Sequence, residues 1–386
     1  MTLLVSGDRV SDTLVIDRSL GEGAFAEVHR VRHEYLGWQA MKLFKRVASK
    51  EETVRMLDEA RLLSTLGHPN IVRVFDANTV RTPEGVRGFF TMEYVAGGSL
   101  ERLAAAHKSM VPRDLVAEVV TQIASGLAVA HDQDPPIVHR DVTMANVLVG
   151  YDGTGMRVRV SDFGLAKRAD PFTHLASAQG TYAFMAPEVM RNQGYSCASD
   201  VWSVGVIAYL LLTNRFPFHQ GGEEFSSFSF GRFNRSLLPP SSYNDEVDAE
   251  LDRIVLAMLE LDPQNRPATA QVLGDALRER AEAMAGAGAA AGDSAIGSAA
   301  SGGPTGLSGT AGSAGSVTSA GSAKAAVNRP PTQRARRLAE EALELARSPG
   351  ELDRAADLME EAVNLSPYLR DLHLSKLTLW RRGVMM

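Results

Sequence analysis

The sequence contains a single cysteine, Cys197, among its 386 residues, and this excludes an internal disulfide framework. An excess of basic residues is also absent, because 40 Lys and Arg stand against 46 Asp and Glu and give a net charge of −6. A chain built mainly to bind nucleic acid usually carries a basic field, so we expect no nucleic-acid partner. The lone cysteine fits a reducing compartment, and we expect a cytoplasmic location.

Long apolar runs are missing as well. A membrane-spanning helix needs about 20 predominantly apolar residues, and the small-residue stretch between Ala281 and Pro331 offers no such run. Residues 1–10 lack the basic segment and apolar core of a secretory signal. We therefore expect neither a membrane span nor a signal peptide.

Large side chains are nearly absent from residues 285–326. All but six of these residues are Ala, Gly, Ser or Thr, and the exceptions are Asp293, Ile296, Pro304, Leu307, Val317 and Lys324. Such a segment cannot bury enough apolar surface to offset the entropy of ordering its backbone. We predict a main body over residues 1–281, a flexible linker over 282–331 and a small all-α module over 332–386.

The main body changes character near Gly97. The first 95 residues favour strands, which we expect at 13–20, 26–32, 39–44, 71–75 and 88–95, with one helix at 50–66. Helical patterns follow, and Asp114 and Asp200 are suitable N-caps. The helix after Asp200, which runs to Leu212, is apolar on nearly every side and should be buried at the centre of its lobe. The predicted fold class is α+β, with a β-rich first lobe at about 10–95 and a mainly helical second lobe at about 96–281.

A glycine-rich segment, Gly-Glu-Gly-Ala-Phe-Ala at 21–26, lies between two predicted strands. Glycine lets a backbone approach phosphate closely, with its amides directed at the anion. An ordinary hairpin turn explains the segment equally well. Lys42, in a predicted strand, and Glu59, beside the apolar stripe of the predicted helix, add weight to the phosphate hypothesis. A carboxylate on an inward face needs a partner, and Lys42 is the available cation.

Three acidic or amide side chains complete the chemistry. Asp141 lies in His-Arg-Asp, Asn146 follows five residues later, and Asp162 opens Asp-Phe-Gly. One aspartate can accept a proton from an attacking hydroxyl, while a second aspartate and an asparagine can hold Mg²⁺ through oxygen.

The order and spacing of these residues resemble the eukaryotic-type (Hanks-type) serine/threonine protein kinase family over about Leu14 to Leu277. The resemblance extends through Ala-Pro-Glu at 186–188, Asp200 and Arg266. It implies the bilobal protein kinase fold, ATP with Mg²⁺ (or Mn²⁺), and phosphoryl transfer to Ser or Thr of protein substrates. Kinases of small molecules share residues like Asp141 and Asp162 but usually lack the Ala-Pro-Glu segment.

The same resemblance implies a role for each matching position. Asp141 would be the base, Asn146 and Asp162 would hold metal, and Lys42, held by Glu59, would grip phosphates. The implied ATP site comprises Leu20, Gly21, Glu22, Gly23, Ala24, Phe25, Val28, Ala40, Lys42, the gatekeeper Met92, the hinge Glu93 to Val95, and Leu148. Leu63, His139 and Phe163 would stack as an apolar spine. Arg140, Glu188, Asp200 and Arg266 would be structural anchors.

The segment from Asp162 to Glu188 is where the family carries its activating phosphate. Ser177 is the first candidate and Thr173 the second, with Arg140 as the partner of the phosphate. The alternative is that neither residue is modified. Thr181 resembles a structural hydroxyl near Asp141.

One position departs from the family pattern. Thr143 stands two residues after the base, where serine/threonine kinases generally have a lysine that neutralises the γ-phosphate. The missing charge costs about 10²–10³ in rate, by analogy with the loss of an oxyanion donor. A weakly active or inactive pseudokinase scaffold that signals through its C-terminal helices is therefore the alternative function.

The C-terminal segment has Leu352, Ala355, Leu358 and Ala362 at helical spacing, followed by Ser-Pro at 366–367. It resembles the second helix of a tetratricopeptide repeat, although a plain helical hairpin fits as well. One repeat cannot bury its own apolar face. We expect its apolar stripes to need a partner, which is the main body, a second copy or another protein.

Overall fold

The computed structural model describes residues 2–23, 26–45, 64–107, 110–153, 155–163, 182–219, 230–296, 333–346 and 351–366, and five further positions between 369 and 380. It divides into two units, Met1–Gly274 and Asp275–Met386. Several residues singled out above lie outside the described residues, namely Ala24, Phe25, Glu59, Leu63, Thr173, Ser177 and Thr181. Their predicted roles stay predictions.

The first lobe is a six-stranded antiparallel sheet with the strand order β1-β2-β3-β4-β6-β5. Its strands are β1 (Arg9–Ser11), β2 (Leu14–Glu22), β3 (Ala26–His33), β4 (Gly37–Phe44), β5 (Val74–Thr82) and β6 (Gly85–Glu93). The strand expected at 71–75 starts later and runs further than predicted. Ile71 makes only an isolated bridge to Val160, because the chain there leaves the first lobe to contact the second.

The two faces of this sheet have different neighbours. Residues of one face form a core with Leu3 and Leu4 of the N-terminal segment, and the Glu27 carboxylate accepts the Leu3 N–H at 2.9 Å. On the other face, Val28 is paired in register with Lys42. Because paired residues of adjacent strands point to the same side, the sheet groups the expected nucleotide-binding side chains on one face.

The second lobe is mainly helical, as expected. Its elements are α1 (Leu100–Ala106), α2 (Arg113–His131), β7 (Val147–Asp152), β8 (Gly155–Val160), α3 (Pro187–Met190), α4 (Cys197–Thr213) and α5 (Ala249–Met258). A further helix, α6 (Ala270–Ile296), begins in this lobe and continues into the second unit. Strands β7 and β8 form a separate two-stranded antiparallel sheet. No helix of the described residues has the length and apolarity needed to cross a bilayer.

Helix α4 is the centre of the second lobe, as its composition predicts. Nearly every residue along it is buried, and the Trp202 indole packs against the rings of Phe218 and Phe233. Gly205 allows α5 to approach closely, because a Cβ there would lie 2.7 Å from the Cβ of Met258.

Both predicted caps are wrong. Helix α4 begins at Cys197 with Ser196 as its N-cap, and the Ser196 N–H donates to Ser199 Oγ at 3.0 Å. Asp200 lies inside the first turn because its carboxylate serves another loop, described below. Helix α2 begins at Arg113 after Pro112, whose fixed φ suits a helix start. Asp114 is therefore a first-turn residue.

The first part of the predicted linker overlaps a helix. Helix α6 continues to Ile296, well beyond residue 282, because alanine, which dominates its second half, is the best helix former. Residues 297–332 lie outside the described residues, so the division into three parts stays a prediction.

The C-terminal segment contains α7 (Gln333–Leu345) and α8 (Leu352–Leu365), which pack against each other. Most of their buried side chains are small, and the buried residues of the two helices are Ala335, Ala339, Ala342, Leu352, Ala355, Ala356, Met359, Glu360, Ala362 and Val363. No large apolar side chain among the described residues of this segment is exposed. The apolar stripes of both helices are therefore largely buried within the chain, and the expected partner stays a prediction.

Candidate active site

The loop between α2 and β7 carries Asp141, and Asp200 determines its backbone conformation. The Asp200 carboxylate accepts the N–H of His139 at 2.7 Å and the N–H of Arg140 at 2.9 Å. Arg140 has φ of +68°, which is unusual for a residue with a Cβ. Asp200 is buried and also contacts His131 Nε2 at 3.0 Å. Its predicted role as a structural anchor is consistent with these contacts.

His139 connects this loop to the strand end that bears Asp162. Its Nδ1 accepts the Asp141 N–H at 3.2 Å, and its Nε2 donates to the Ser161 carbonyl at 2.8 Å. Both bonds require the neutral ring with the proton on Nε2. Burial lowers the pKa of His139, although the nearby carboxylates of Asp200 and Asp141 act in the opposite direction. The ring is therefore a neutral strut between the two candidate catalytic segments.

Asn146 and Asp141 are joined directly. The Asn146 amide nitrogen donates to the Asp141 backbone carbonyl at 2.8 Å and to its carboxylate at 3.1 Å. One carboxylate oxygen of Asp141 is thus oriented by Asn146. The same orientation of the amide turns the Asn146 oxygen away from Asp141, so that it can serve another ligand.

Lys42 and Asp162 form a contact between the lobes. The Lys42 ammonium, on β4, lies 2.8 Å from the carboxylate of Asp162, two residues beyond β8. Asp162 has φ of +59°, which turns the chain sharply at this point. The predicted Lys42–Glu59 pair cannot be placed, since Glu59 lies outside the described residues.

The donor set fits a magnesium ion. The Asp162 carboxylate and the free oxygen of the Asn146 amide are hard oxygen ligands of the type that Mg²⁺ prefers. Asp162 is bound to Lys42 and Asn146 to Asp141, so both side chains are held at the cleft. Among the described residues, no group of three or more His, Cys, Asp and Glu forms an all-protein metal site.

The glycine-rich segment is a hairpin between β2 and β3. Gly21 is paired in register with Val28, and the Gly23 N–H donates to the Ala26 carbonyl at 2.9 Å. Leu20 falls in an irregularity of the β2–β3 register and is 40% exposed. Glu22 pairs with Lys45, which lowers the pKa of its carboxyl. Ala24 and Phe25, between these residues, lie outside the described residues, so the phosphate-covering role of the segment stays a prediction.

The expected adenine site lies around the chain crossing between the lobes. Ala40 is paired in register with Met92, and both are buried. Val95 is buried after β6, and the half-buried Leu148 lies on β7. The structure thus places Ala40 beside Met92, and the membership of Val95 and Leu148 in one adenine pocket stays a prediction.

Two further predicted assemblies are present where the structure describes them. The His139 and Phe163 rings are in contact, with centroids 4.5 Å apart, while Leu63 lies outside the described residues. Glu188 and Arg266 form a buried bidentate pair with both distances at 2.8 Å. Arg266 also stacks over Trp202, so the anchor after the activation segment is fixed to α4.

Thr143 is 7% exposed and lines a cavity beside Asp141. The Tyr195 hydroxyl lines the same cavity, and burial raises its pKa to about 12. The Arg140 guanidinium lies 5.8 Å from the Tyr195 ring. No cation from position 143 enters this cavity, as expected from the substitution.

Sequence reasoning missed three arginine contacts. Arg159 on β8 pairs with Glu93, and Arg30 on β3 stacks over Tyr94 and Trp38. Arg232 donates to the Tyr182 carbonyl at 3.2 Å. An arginine in a strand or loop is usually a solvated side chain, so the sequence contains no signal for these contacts.

Comparison with known proteins agrees with the geometry. The protein kinase domain family matches residues 14–277. Serine/threonine-protein kinase PknB of Mycobacterium tuberculosis is 30% identical over 69% of this chain and 42% of its own length. Serine/threonine-protein kinase Pkn1 of Myxococcus xanthus is 34% identical over 68% of this chain and 37% of its own length. The crystal structure of the M. tuberculosis PknI kinase domain superposes with a TM-score of 0.53, at 25% identity, over 72% of this chain and 99% of that one. The chain therefore spans about two fifths of the length of the two bacterial relatives.

Proposed function

The chain belongs to the protein kinase family, and we propose that it transfers the γ-phosphate of ATP to Ser or Thr hydroxyls of protein substrates. The observation that carries the proposal is the pair of contacts at the cleft, Asn146 to Asp141 and Lys42 to Asp162. Together they hold a base, a cation and two oxygen ligands around one space. The names of the two bacterial relatives support the choice of serine and threonine as acceptors.

The proposed reaction uses Asp141 as the base. The acceptor hydroxyl forms a new O–P bond, the bond from the γ-phosphorus to the ADP oxygen breaks, and the hydroxyl proton moves to the Asp141 carboxylate. Asn146 holds that carboxylate in place, so the base needs little reorganisation to meet the acceptor hydroxyl. Positioning of this kind is most of what phosphoryl transfer requires of a protein.

Asp162, Asn146 and Lys42 would bind the nucleotide phosphates. Asp162 and Asn146 would hold Mg²⁺, which when bound neutralises charge on the phosphate oxygens. In the structure the Lys42 ammonium contacts Asp162. We propose that it also contacts the α- and β-phosphates, with Glu59 as its second carboxylate partner. The Gly21–Gly23 segment would cover the phosphates.

Regulation by phosphorylation of the activation segment is a further part of the proposal. Ser177 and, next, Thr173 are the candidate residues, and both lie outside the described residues. Support comes from Arg140, which Asp200 fixes beside the base. A phosphate that pairs with the Arg140 guanidinium would connect the segment to the loop bearing Asp141.

A pseudokinase scaffold is the second candidate function. Thr143 favours it, because a neutral side chain occupies the position of the expected lysine. The proposed output would pass through the segment at 333–380, whose half-buried leucines, among them Leu338 and Leu358, offer contact area to a protein or a second copy. The cytoplasmic location remains a proposal that rests on the single cysteine.

The acceptor type is tested with γ-labelled ATP. Purified full-length protein is incubated with labelled ATP, Mg²⁺ and a generic basic protein, and the labelled products are hydrolysed to single amino acids. We expect phosphoserine and phosphothreonine, and loss of label when EDTA removes Mg²⁺. Label on tyrosine would refute the acceptor assignment. ADP binding without any transfer would favour the scaffold.

A further inference from the structure

Two consecutive hinge residues are held by arginines from opposite lobes. Glu93 pairs with Arg159 of the second lobe at 3.1 Å. The next residue, Tyr94, has the Arg30 guanidinium of the first lobe 5.5 Å from its ring centroid. The short chain that connects the lobes is thus fixed on both sides through its side chains.

The Arg159 contact lies within the expected nucleotide site. Arg159 is paired in register with Leu148, a residue of the implied ATP site, and precedes Asp162 by three residues. The Arg159 side chain is 15% exposed and that of Glu93 32%. A partly buried ion pair is screened less by water and salt than one on an open surface. It therefore restrains the hinge relative to β8.

The contact of Arg30 with Tyr94 involves more partners than the Arg159–Glu93 pair. Arg30 is paired in register with Ala40, a second residue of the implied ATP site. Its Nε donates to Asp17 at 2.7 Å, and its guanidinium lies 4.4 Å from the Trp38 ring centroid. Cations within about 6 Å of an aromatic centroid are attracted to the ring face. Tyr94 thus packs on an arginine that is itself fixed by an ion pair and a second ring.

We infer that Arg159 and Arg30 are positioning residues for the nucleotide, although neither is in the implied set of nucleotide contacts. They hold the Glu93–Val95 backbone at a fixed distance from Leu148 below and Ala40 above, and so set the width of the slot that receives the adenine ring. The inference rests on the proposed function. It predicts that removing either arginine weakens adenine binding while the phosphate and base machinery stays intact.

Two neighbouring arginines provide matched controls. Arg157 lies on the same strand as Arg159 and pairs with Asp152 at 3.0 Å, so it has a similar ion pair that does not reach the hinge. Arg32 lies on the same strand as Arg30 and approaches Trp38 at 5.8 Å without a Tyr94 contact. Each control substitution removes one positive charge from the same strand as the arginine with which it is compared.

Binding of Mg²⁺–ADP and of adenosine is measured by calorimetry on the full chain. We expect Arg159→Gln and Arg30→Gln to weaken the binding of both ligands by a similar factor of about five to ten. The factor should be similar because ADP and adenosine share the adenine ring, which is the group that the two arginines help to position. The affinities of Arg157→Gln and Arg32→Gln for both ligands should stay within about twofold of the wild-type values. In the transfer assay, the KM for ATP should rise for the two hinge variants much more than kcat falls.

Side-chain substitutions on the hinge separate positioning from simple loss of stability. A double variant that carries Glu93→Gln and Arg159→Gln should bind ADP no more weakly than either single variant. The reason is that all three variants lack the same Glu93–Arg159 ion pair. Tyr94→Leu removes the ring over which Arg30 lies and should weaken ADP binding by the same factor as Arg30→Gln.

Equal ADP affinity in Arg159→Gln, Arg157→Gln and the wild type would overturn the inference, and so would a fall in kcat with an unchanged KM. In both cases binding of ADP by the wild type would leave the proposed function intact. Failure of the wild type to bind ADP at all would overturn the proposed function and the inference together.

Discussion

The carboxylate of Asp200 accepts the backbone N–H of Arg140 at 2.9 Å and thereby holds a residue of positive φ directly before the candidate base. The second oxygen of the same carboxylate accepts the His139 N–H at 2.7 Å. A buried side chain of α4 thus determines the conformation of the loop that presents Asp141. The geometry of the base depends on a residue that touches no substrate.

Asp200→Asn therefore affects activity as well as stability. The amide offers one acceptor oxygen in place of two, and its NH₂ group faces a backbone donor. Leaving a buried donor unsatisfied costs about 1–3 kcal/mol, and we expect kcat to fall about tenfold or more as Asp141 loses its orientation. Asp252→Asn is the control, because Asp252 is also buried and accepts the Ser241 N–H at 3.0 Å far from the base in sequence. It should lower the free energy of unfolding without lowering kcat, and a wild-type kcat in Asp200→Asn would contradict this role.

Thr143→Lys tests whether the missing charge limits the rate. Thr143 lies beside Asp141 in the cavity described above. A cation there stabilises charge on the transferred phosphoryl group, and we expect kcat to rise about tenfold or more. Thr143→Met, which has a long side chain but no charge, should give no increase. An unchanged kcat in both variants would mean that this site does not depend on charge at position 143.

The free energy of unfolding should decrease as the pH is lowered, partly because of His139. Burial lowers its pKa in the folded chain below the value near 6.5 that it has when unfolded. The unfolded state then binds more protons as the pH drops through this window, so the free energy of unfolding decreases with decreasing pH. Denaturant unfolding at about pH 7.5 and about pH 5.5 measures the slope in wild type and in His139→Phe. The variant should lose less stability between the two values, and equal slopes would contradict the assignment.

Gly205→Ala tests the close approach of α4 and α5. The added methyl would lie 2.7 Å from the Met258 Cβ, and neither helix backbone can yield cheaply. We expect the free energy of unfolding to fall by about 1–3 kcal/mol through overpacking. Gly67→Ala is the control, since no atom lies within 4 Å of its added methyl. A thermal midpoint equal to that of the wild type in Gly205→Ala would show that the helices can separate freely.

The parts of the site that follow from local sequence could be predicted. Lys42, Asp141, Asn146 and Asp162 are recognised by residue type and spacing, and the described residues place Asn146 beside Asp141 and Lys42 beside Asp162. The buried character of α4 also follows from its composition.

The parts of the site that depend on strand register and tertiary contact could not be predicted from the sequence. Asp200 has the residue type of an N-cap, but its carboxylate accepts from a loop some 60 positions earlier in the chain. The Glu93–Arg159 and Tyr94–Arg30 contacts need the strand pairing to be known first. The self-burial of α7 and α8 likewise depends on how two helices meet, which a stripe of apolar residues does not specify.

The central claim is that Asp141 acts as a base in phosphoryl transfer from ATP. The most direct measurement compares wild type and Asp141→Asn for transfer from labelled ATP with Mg²⁺, with ADP affinity measured on the same samples. The amide cannot take the hydroxyl proton, so we expect transfer to fall about 10²-fold or more while the ADP affinity stays near that of the wild type. Equal transfer by the two proteins, or none by the wild type despite ADP binding, would contradict the account.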